Sequence, residues 1–427
     1  MIKSVKLITA SSFLAMFFMG VGSAIIGAAS RDIGLTAAQI GLLIAAQNVG
    51  FIFSVTISGA RADTHPKPKI LLIGSIILGI SFLAFYQIPS FGVNLAIMLL
   101  CGIGLGTYEG VLDAMLLDLH EARAGLFINI NHFFVTIGAL AISLYLIFLR
   151  LNWRASMVQS GIVILALAVV FGLTTLRPVP RMQASYGEKM RILANEKGIL
   201  LLFIVAVLVV GVEAGSMGIL PTFLAEVRGY GDTAAKLGLV AFLAGIAAGR
   251  LVIGFIVKLK AVLRYVAVLL ALGLPCFTVL YFVDLGHWTY LVAFLAGTTL
   301  SALLPLILTF AGALFKEMAG TVLGTIKVAI PLGGIITPFI MALIAGNIST
   351  QASLIIFPLS LLIGLLLVLQ VVRLEGTREP NARQEPEPLA TRALPLNIIG
   401  DNCHFETPMP RGAMFCGKKR PAVTALP

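Results

Sequence analysis

Residues Asn94–Ala124 read NLAIMLLCGIGLGTYEGVLDAMLLDLHEARA. The stretch is long and apolar enough to cross a bilayer, which takes about 20 residues. Yet it carries Glu109 and Asp113 in its interior. An acid at the centre of hydrocarbon costs about 2.5 kcal/mol or more, so it has to face a wet cavity or a partner, and it marks a functional site by default. The i, i+4 spacing puts both carboxylates on one helix face, a turn apart. The surrounding chain must hide that face from lipid, which calls for a bundle of membrane helices.

The composition agrees. Of 427 residues, 59% are hydrophobic and 11% charged, and the mean hydropathy is +1.03, values of a polytopic membrane protein. The net charge of +11 does not point to nucleic acid, because most basic residues sit in short gaps between apolar runs, where they set orientation. Cys101 and Cys276 fall inside apolar runs and Cys403 and Cys416 near the C-terminus, so no disulfide framework is indicated. The N-terminus MIKSVK leads into a run of span length and is read as a first span rather than a signal peptide.

The pattern predicts an all-α membrane protein with twelve spans, at about 7–29, 39–60, 70–88, 94–117, 125–149, 156–176, 199–223, 234–257, 262–283, 288–310, 320–345 and 350–372. The polar segment 177–198 divides them into an N-terminal bundle (1–176) and a C-terminal bundle (199–372). Residues 373–427 are Pro- and Glu-rich at first and read as a disordered tail; Cys403, His404 and Cys416 in it match no zinc spacing. With the N-terminus inside, the inner loops collect most of the basic residues, from Lys3 and Lys6 through Arg61, Lys67 and Lys69 to Lys258, Lys260 and Lys316. The outer loops hold only Arg31, Arg150, Arg154, Arg228 and Lys236. The positive-inside rule then places both termini in the cytoplasm of a cell (inner or plasma) membrane.

The halves repeat. Shifting the first by 195 residues lays Gly59 on Gly254, Gly125 on Gly320, His132 on Lys327 and Gly138 on Gly333. Two parallel six-span halves form two pseudo-symmetric bundles, the sequence form of a transporter that rocks about a central site.

Between spans 2 and 3 the chain reads Gly59-Ala-Arg-Ala-Asp63-Thr-His-Pro-Lys67-Pro-Lys69. This resembles the G-x-x-x-D-R-x-G-R-R loop of the major facilitator superfamily, with Thr64 and Pro66 departing from it. The resemblance covers residues 7–372 and implies that fold, with spans 1, 4, 7 and 10 lining the cavity. It also implies that Asp63 contacts the inner end of span 11 and steadies the outward-facing state; an acid there suits a helix N-terminus. Lys258 stands at the matching place in the second half, and Arg250 resembles the Arg-x-x-x-Gly of span 8. The string Gly102-Ile-Gly104-Leu-Gly106-Thr-Tyr-Glu109 is similar to the span-4 motif of the fucose:proton symporter branch, whose glutamate is a protonatable coupling site. Unlike those symporters, span 1 here has no acid.

At about 1.5 Å per residue, Glu109 lies roughly 22 Å into span 4 and Glu213 roughly 21 Å into span 7, either side of the midplane. Glu109, Asp113 and Glu213 are therefore the expected coupling or substrate groups, with pairing of Glu109 and Asp113 to Lys327 or Arg250 as the structural alternative. Gln47, Asn48, Asn129 and Asn131 can bind a polyol or bridge helices. His132 can relay protons or pack. Arg250 is near enough to the inner face to snorkel, or makes an interface hydrogen bond. Pro331 and Pro338 are expected to bend span 11.

The reading is proton-coupled symport of a sugar or similar polar molecule by a monomer in the lipid bilayer, with a proton gradient and no cofactor or bound metal. Efflux of a hydrophobic cation, transport of iron or manganese through Glu109, Asp113, His132 and Glu213, and a non-transporting scaffold are the alternatives. An enzyme is not indicated, since no nucleophile–base constellation or phosphate loop appears.

Overall fold

The computed structural model describes residues 2–148, 152–176, 182 and 184–378. Six helices form the first half: α1 (Val5–Ile33), α2 (Ala37–Ala62), α3 (Lys67–Ala84), α4 (Phe91–Leu119), α5 (Ala124–Phe148) and α6 (Trp153–Leu173). A short α7 (Tyr186–Asn195) follows. The second half comprises α8 (Lys197–Thr222), α9 (Asp232–Ile256), α10 (Val262–Phe282), α11 (Thr289–Ser301), α12 (Leu303–Leu314), α13 (Ala319–Lys327), α14 (Ala329–Asn347), α15 (Thr350–Ser353) and α16 (Ile356–Arg378). Among the described residues, 12 segments are long and apolar enough to cross a membrane, close to where the sequence places them. The only pairing of extended backbone among these residues is an isolated bridge between Ile2 and Thr174.

Proline chemistry shapes the two broken spans. Span 10 is interrupted at Ala302, between α11 and α12, three residues before Pro305. Span 11 is interrupted at Val328, three residues before Pro331, while Pro338 sits inside α14. A proline ring has no N–H and crowds the carbonyl four residues back, so the helix breaks and that carbonyl is released. The carbonyls are those of Ser301 and Lys327.

The 195-residue repeat is visible in the packing. A Cβ on Gly50 would lie 2.1 Å from the carbonyl oxygen of Leu99, and one on Gly245 would lie 2.0 Å from that of Phe294. The reciprocal pairs Gly102 with Gln47 and Gly297 with Phe242 show the same contact at 2.0 and 2.1 Å. Spans 2 and 4 thus meet backbone to backbone, as spans 8 and 10 do; close approach through small residues is how membrane helices associate. Two apolar cores result. One runs from Ile8 to Phe171; the other runs from Leu193 to Val371 and takes in Ala114, Leu117, Ala124 and Ile128 of α4 and α5. The first half therefore joins the second core through the ends of α4 and α5 on the face where α1 starts, called below the N-terminal face.

Two expectations change. Segment 177–198 is not simply a polar connector. Ser185 and Glu188 form a capping box that starts α7, which buries Lys189 and Leu193, and α8 already begins at Lys197. Glu188 is held below the usual carboxylate range by its hydrogen bonds with the Ser185 backbone and hydroxyl. The last helix runs to Arg378 rather than ending at 372. The expected tail from Glu379 onward, with Cys403, His404 and Cys416, lies outside the described residues, as do Arg177 and Arg181.

Candidate functional site

Helix α4 presents Glu109 and Asp113 one turn apart, as their spacing requires. Facing them is Lys327, the last residue of α13, at the break caused by Pro331. Its Nζ lies 2.6 Å from Asp113 Oδ2 and in contact with Glu109 Oε2. It also donates to the main-chain carbonyl of Glu109 at 2.6 Å. The side chains of Lys327 and Asp113 are 0% exposed and that of Glu109 is 2% exposed, so this ion cluster is buried. Helix α5 completes the shell around Asp113. His132 Nε2 is 2.9 Å from Oδ2, and Asn131 Nδ2 donates to Oδ1 at 2.8 Å. Asn131 in turn accepts from Ser12 Oγ of α1 at 3.1 Å. Such a cluster stays in hydrocarbon only because each charge is met by another charge or a hydrogen bond.

His132 is also the hinge to a second network. Arg250 of α9 donates through Nη1 to the His132 carbonyl at 2.8 Å and to Thr136 Oγ1. Its Nε donates at 3.1 Å to Ser301, whose carbonyl is the one Pro305 releases. Its Nη2 lies 3.2 Å from Glu213 Oε1 on α8. Arg250 is thus a buried interface residue and does not snorkel; four acceptors inside the bundle outweigh the reach to the surface. Glu213, at 18% exposure, is the most accessible acid of these networks.

Nearer the N-terminal face, Asp63 makes the contact with the start of span 11 that the loop resemblance implies. Its carboxylate accepts from the backbone N–H groups of Gly320 at 2.7 Å and Thr321 at 3.0 Å, in the first turn of α13, and from the Thr321 hydroxyl. Lys189 of α7, buried, donates to the same carboxylate at 3.2 Å. Lys67 pairs with Asp118 at 2.5 Å, and Lys316 pairs with Glu121 at the surface. Gly59 makes this approach possible, because a Cβ there would stand 2.5 Å from the Gly320 carbonyl oxygen. Gly59→Leu is therefore expected to hold the N-terminal face open. Spin labels on the exposed Lys69 and Lys260 should report a longer distance than in the wild-type background.

Of the residues singled out from sequence, Glu109, Asp113, Asn131, His132, Lys327, Arg250 and Glu213 converge on the two linked networks. Gln47 does not join them; its Nε2 donates to the Gly22 carbonyl at 3.0 Å and lies 3.8 Å from Cys101 Sγ, tying α1, α2 and α4 together. Asn129 donates to Gly125 of its own helix at 2.7 Å. Asn48 is half-buried on α2 and Lys69 is exposed. Lys189, Asp118 and Thr136 were not anticipated. Thr136 lies one turn beyond His132, a signal that could have found it; Lys189 sits in a charged segment with nothing to set it apart.

Ligand atoms of Glu109, Asp113 and His132 lie within 4.8 Å of one another, a spacing a metal ion could use. The Lys327 ammonium already stands between the two carboxylates, so in this conformation the cation of the cluster is the lysine.

The family model of the Major Facilitator Superfamily matches residues 8–330 and 265–402. No curated protein matches the chain. Among solved structures, a superfamily transporter in the outward conformation, FucP, is similar over 85% of this chain and 98% of its own, at 16% identity and a TM-score of 0.73. The proton:xylose symporter covers 86% of this chain and 95% of its own at 14% identity and a TM-score of 0.64. A human organic anion transporter covers 86% and 100%, at 14% identity and a TM-score of 0.70. At such identities the likeness is one of fold. With a family match over most of its length and twelve spans in two repeated halves, the chain belongs to the major facilitator superfamily and is a multi-pass membrane transporter.

Proposed function

We propose that the protein moves a small polar solute, a sugar or a similar molecule, by proton symport with alternating access. The observation that carries this reading is Lys327 of one half held between Glu109 and Asp113 of the other, fully buried. While the N-terminal face is closed, the ammonium is shared by the two acids. When that face opens, the halves separate and Lys327 withdraws. Two acids one turn apart then repel each other with no ammonium between them, and a proton carried on Glu109 relieves that repulsion until it is released. Protonation of Glu109 from the opposite side, together with solute binding, weakens the clamp and lets the N-terminal face open. Release of the proton there restores the negative charge and draws Lys327 back. Glu213, partly accessible, and its buried partner Arg250 are the polar groups next to the solute path. The charge bias of the loops makes the N-terminal face cytoplasmic, so the cycle runs inward. The fucose and xylose symporters among the structural neighbours make a sugar the first solute to test. No cofactor enters the cycle, and one chain holds all its groups.

Proteoliposomes with an inward proton gradient should accumulate a labelled hexose or pentose. Glu109→Gln should abolish accumulation while leaving equilibrium exchange of the same sugar measurable. Accumulation by Glu109→Gln at the wild-type level would show this coupling role to be wrong. A second reading, transport of divalent iron or manganese, is favoured by the convergence of Glu109, Asp113 and His132. It requires Lys327 to leave first, and manganese flux that disappears in His132→Ala would establish it. Net outward flux of a hydrophobic cation would instead identify the protein as an exporter.

A further inference from the structure

A cavity of about 400 Å³ opens near the N-terminal face at the seam between the halves. Its walls include Arg123, Gly125 and Leu126 at the start of α5, Gly254 at the end of α9, Val257, and Thr309 of α12. The internal repeat explains why space is left there. Gly254, Lys258, Gly125 and Leu126 are the counterparts, 195 residues away, of Gly59, Asp63, Gly320 and Thr321. In the first copy the Asp63 carboxylate fills the corner and accepts from Gly320 and Thr321. In the second copy the acid is replaced by Lys258, which is exposed. Among the described residues, no side chain accepts from the N–H groups of Gly125 or Leu126. A helix start that no side chain caps favours an anion.

Other features point to what fills the space. Asn129, one turn along α5, is fully buried and its Oδ1 has no hydrogen-bond partner. Its Nδ2 is bonded to the Gly125 carbonyl, and its Cβ lies 3.0 Å from where a Cβ on Gly254 would be. An unused acceptor thus stands against two wall residues and calls for a hydroxyl donor. Arg123 is exposed and in no ion pair among the described residues, while the neighbouring Glu121 is held by Lys316. Beside the cavity, Val252, Phe255 and Ile256 at 56%, 70% and 55% exposure form a bare apolar strip on α9, at the i, i+3, i+4 spacing of one helix face. Basic groups, a helix start that no side chain caps and an apolar strip at the membrane boundary together fit a lipid better than a dissolved ion.

We propose that the cavity binds the phosphate of an anionic, hydroxyl-bearing phospholipid, of the phosphatidylglycerol kind. The phosphate takes the place of the carboxylate missing from the second loop and holds the N-terminal face closed, while the headgroup hydroxyl reaches Asn129. This is independent of the solute and of proton coupling.

The test uses the full chain in lipid nanodiscs of phosphatidylcholine alone or with phosphatidylglycerol, and in detergent with inorganic phosphate. Phosphatidylglycerol should stay bound in native mass spectrometry and raise the melting temperature, with no comparable effect of phosphatidylcholine or inorganic phosphate. Arg123→Gln should weaken retention about fivefold, the effect of one basic group near an anionic membrane surface. Lys258→Asp, which restores the acid, should raise the melting temperature without the lipid and abolish the further rise with it. Equal stabilisation by phosphatidylcholine, or by inorganic phosphate alone, would overturn the lipid assignment. So would a Lys258→Asp protein that keeps the wild-type response. If Arg123→Gln does not fold, the comparison of lipids on the wild-type chain and the Lys258→Asp result still decide.

Discussion

Lys327→Met is expected to destabilise the conformation closed at the N-terminal face by about 3–5 kcal/mol, the range for removing one partner of a buried ion pair. The loss is large because Glu109 and Asp113 stay behind with no ammonium, in a place with 0–2% exposure. The protein need not unfold to escape it. Opening that face hydrates the acids, so the closed population should fall at least a hundredfold relative to the open one. Labels on Lys69 and Lys260 would show the longer distance dominating. Adding Glu109→Gln and Asp113→Asn to Lys327→Met should recover much of the closed population, because two neutral amides beside a thioether no longer carry the desolvation penalty of two unpaired carboxylates. That triple variant should still fail to accumulate solute. A Lys327→Met protein that remains mostly closed would mean that the lysine is not the clamp.

Much of this arrangement was legible because membrane physics leaves few choices. Span count follows from hydrocarbon thickness, and a carboxylate in an apolar run must be partnered. The repeat register told that His132 and Lys327 share a depth, and both reach Asp113 in the structure. The Asp63 cap was legible from the loop resemblance and the helix dipole together. What could not be read depends on direction rather than depth. Gln47 and Asn129 are polar residues in spans like Asn131, yet the amide N–H of each donates to a backbone carbonyl nearby rather than to the two networks. Whether a side chain points at the seam between halves or at a neighbouring helix is set by helix rotation, which hydropathy does not encode. The break at Ala302 depends on Pro305, which hydropathy counts as one more residue of an apolar run, and with the break comes the acceptor on Ser301 that Arg250 uses. Lys189 was missed because a charged segment between two bundles looks like solvent-exposed chain. Only the docking of α7 reveals it as a buried donor.

That docking leads to the second large effect. Asp63→Ala removes the acceptor for Gly320, Thr321 and Lys189 at once. It leaves a buried ammonium unpaired and the start of α13 uncapped. The expected cost to the closed conformation is again about 3–5 kcal/mol. Its signature differs from that of Lys327→Met, however. The Glu109–Asp113–Lys327 cluster is intact, so a proton can still be bound and released, and solute exchange down its gradient should survive while concentrative uptake falls. Lys189→Met separates the two parts of the cost. If the unpaired ammonium dominates, Asp63→Ala with Lys189→Met should be markedly less disturbed than Asp63→Ala alone, a coupling that a double-mutant cycle on the label distances would measure. If the uncapped helix dominates, the double variant should match Asp63→Ala. The first result makes α7 part of the lock between the halves: the connector then contributes a charge that the closed conformation needs, and cutting the chain before Ser185 should open the face even with Asp63 in place.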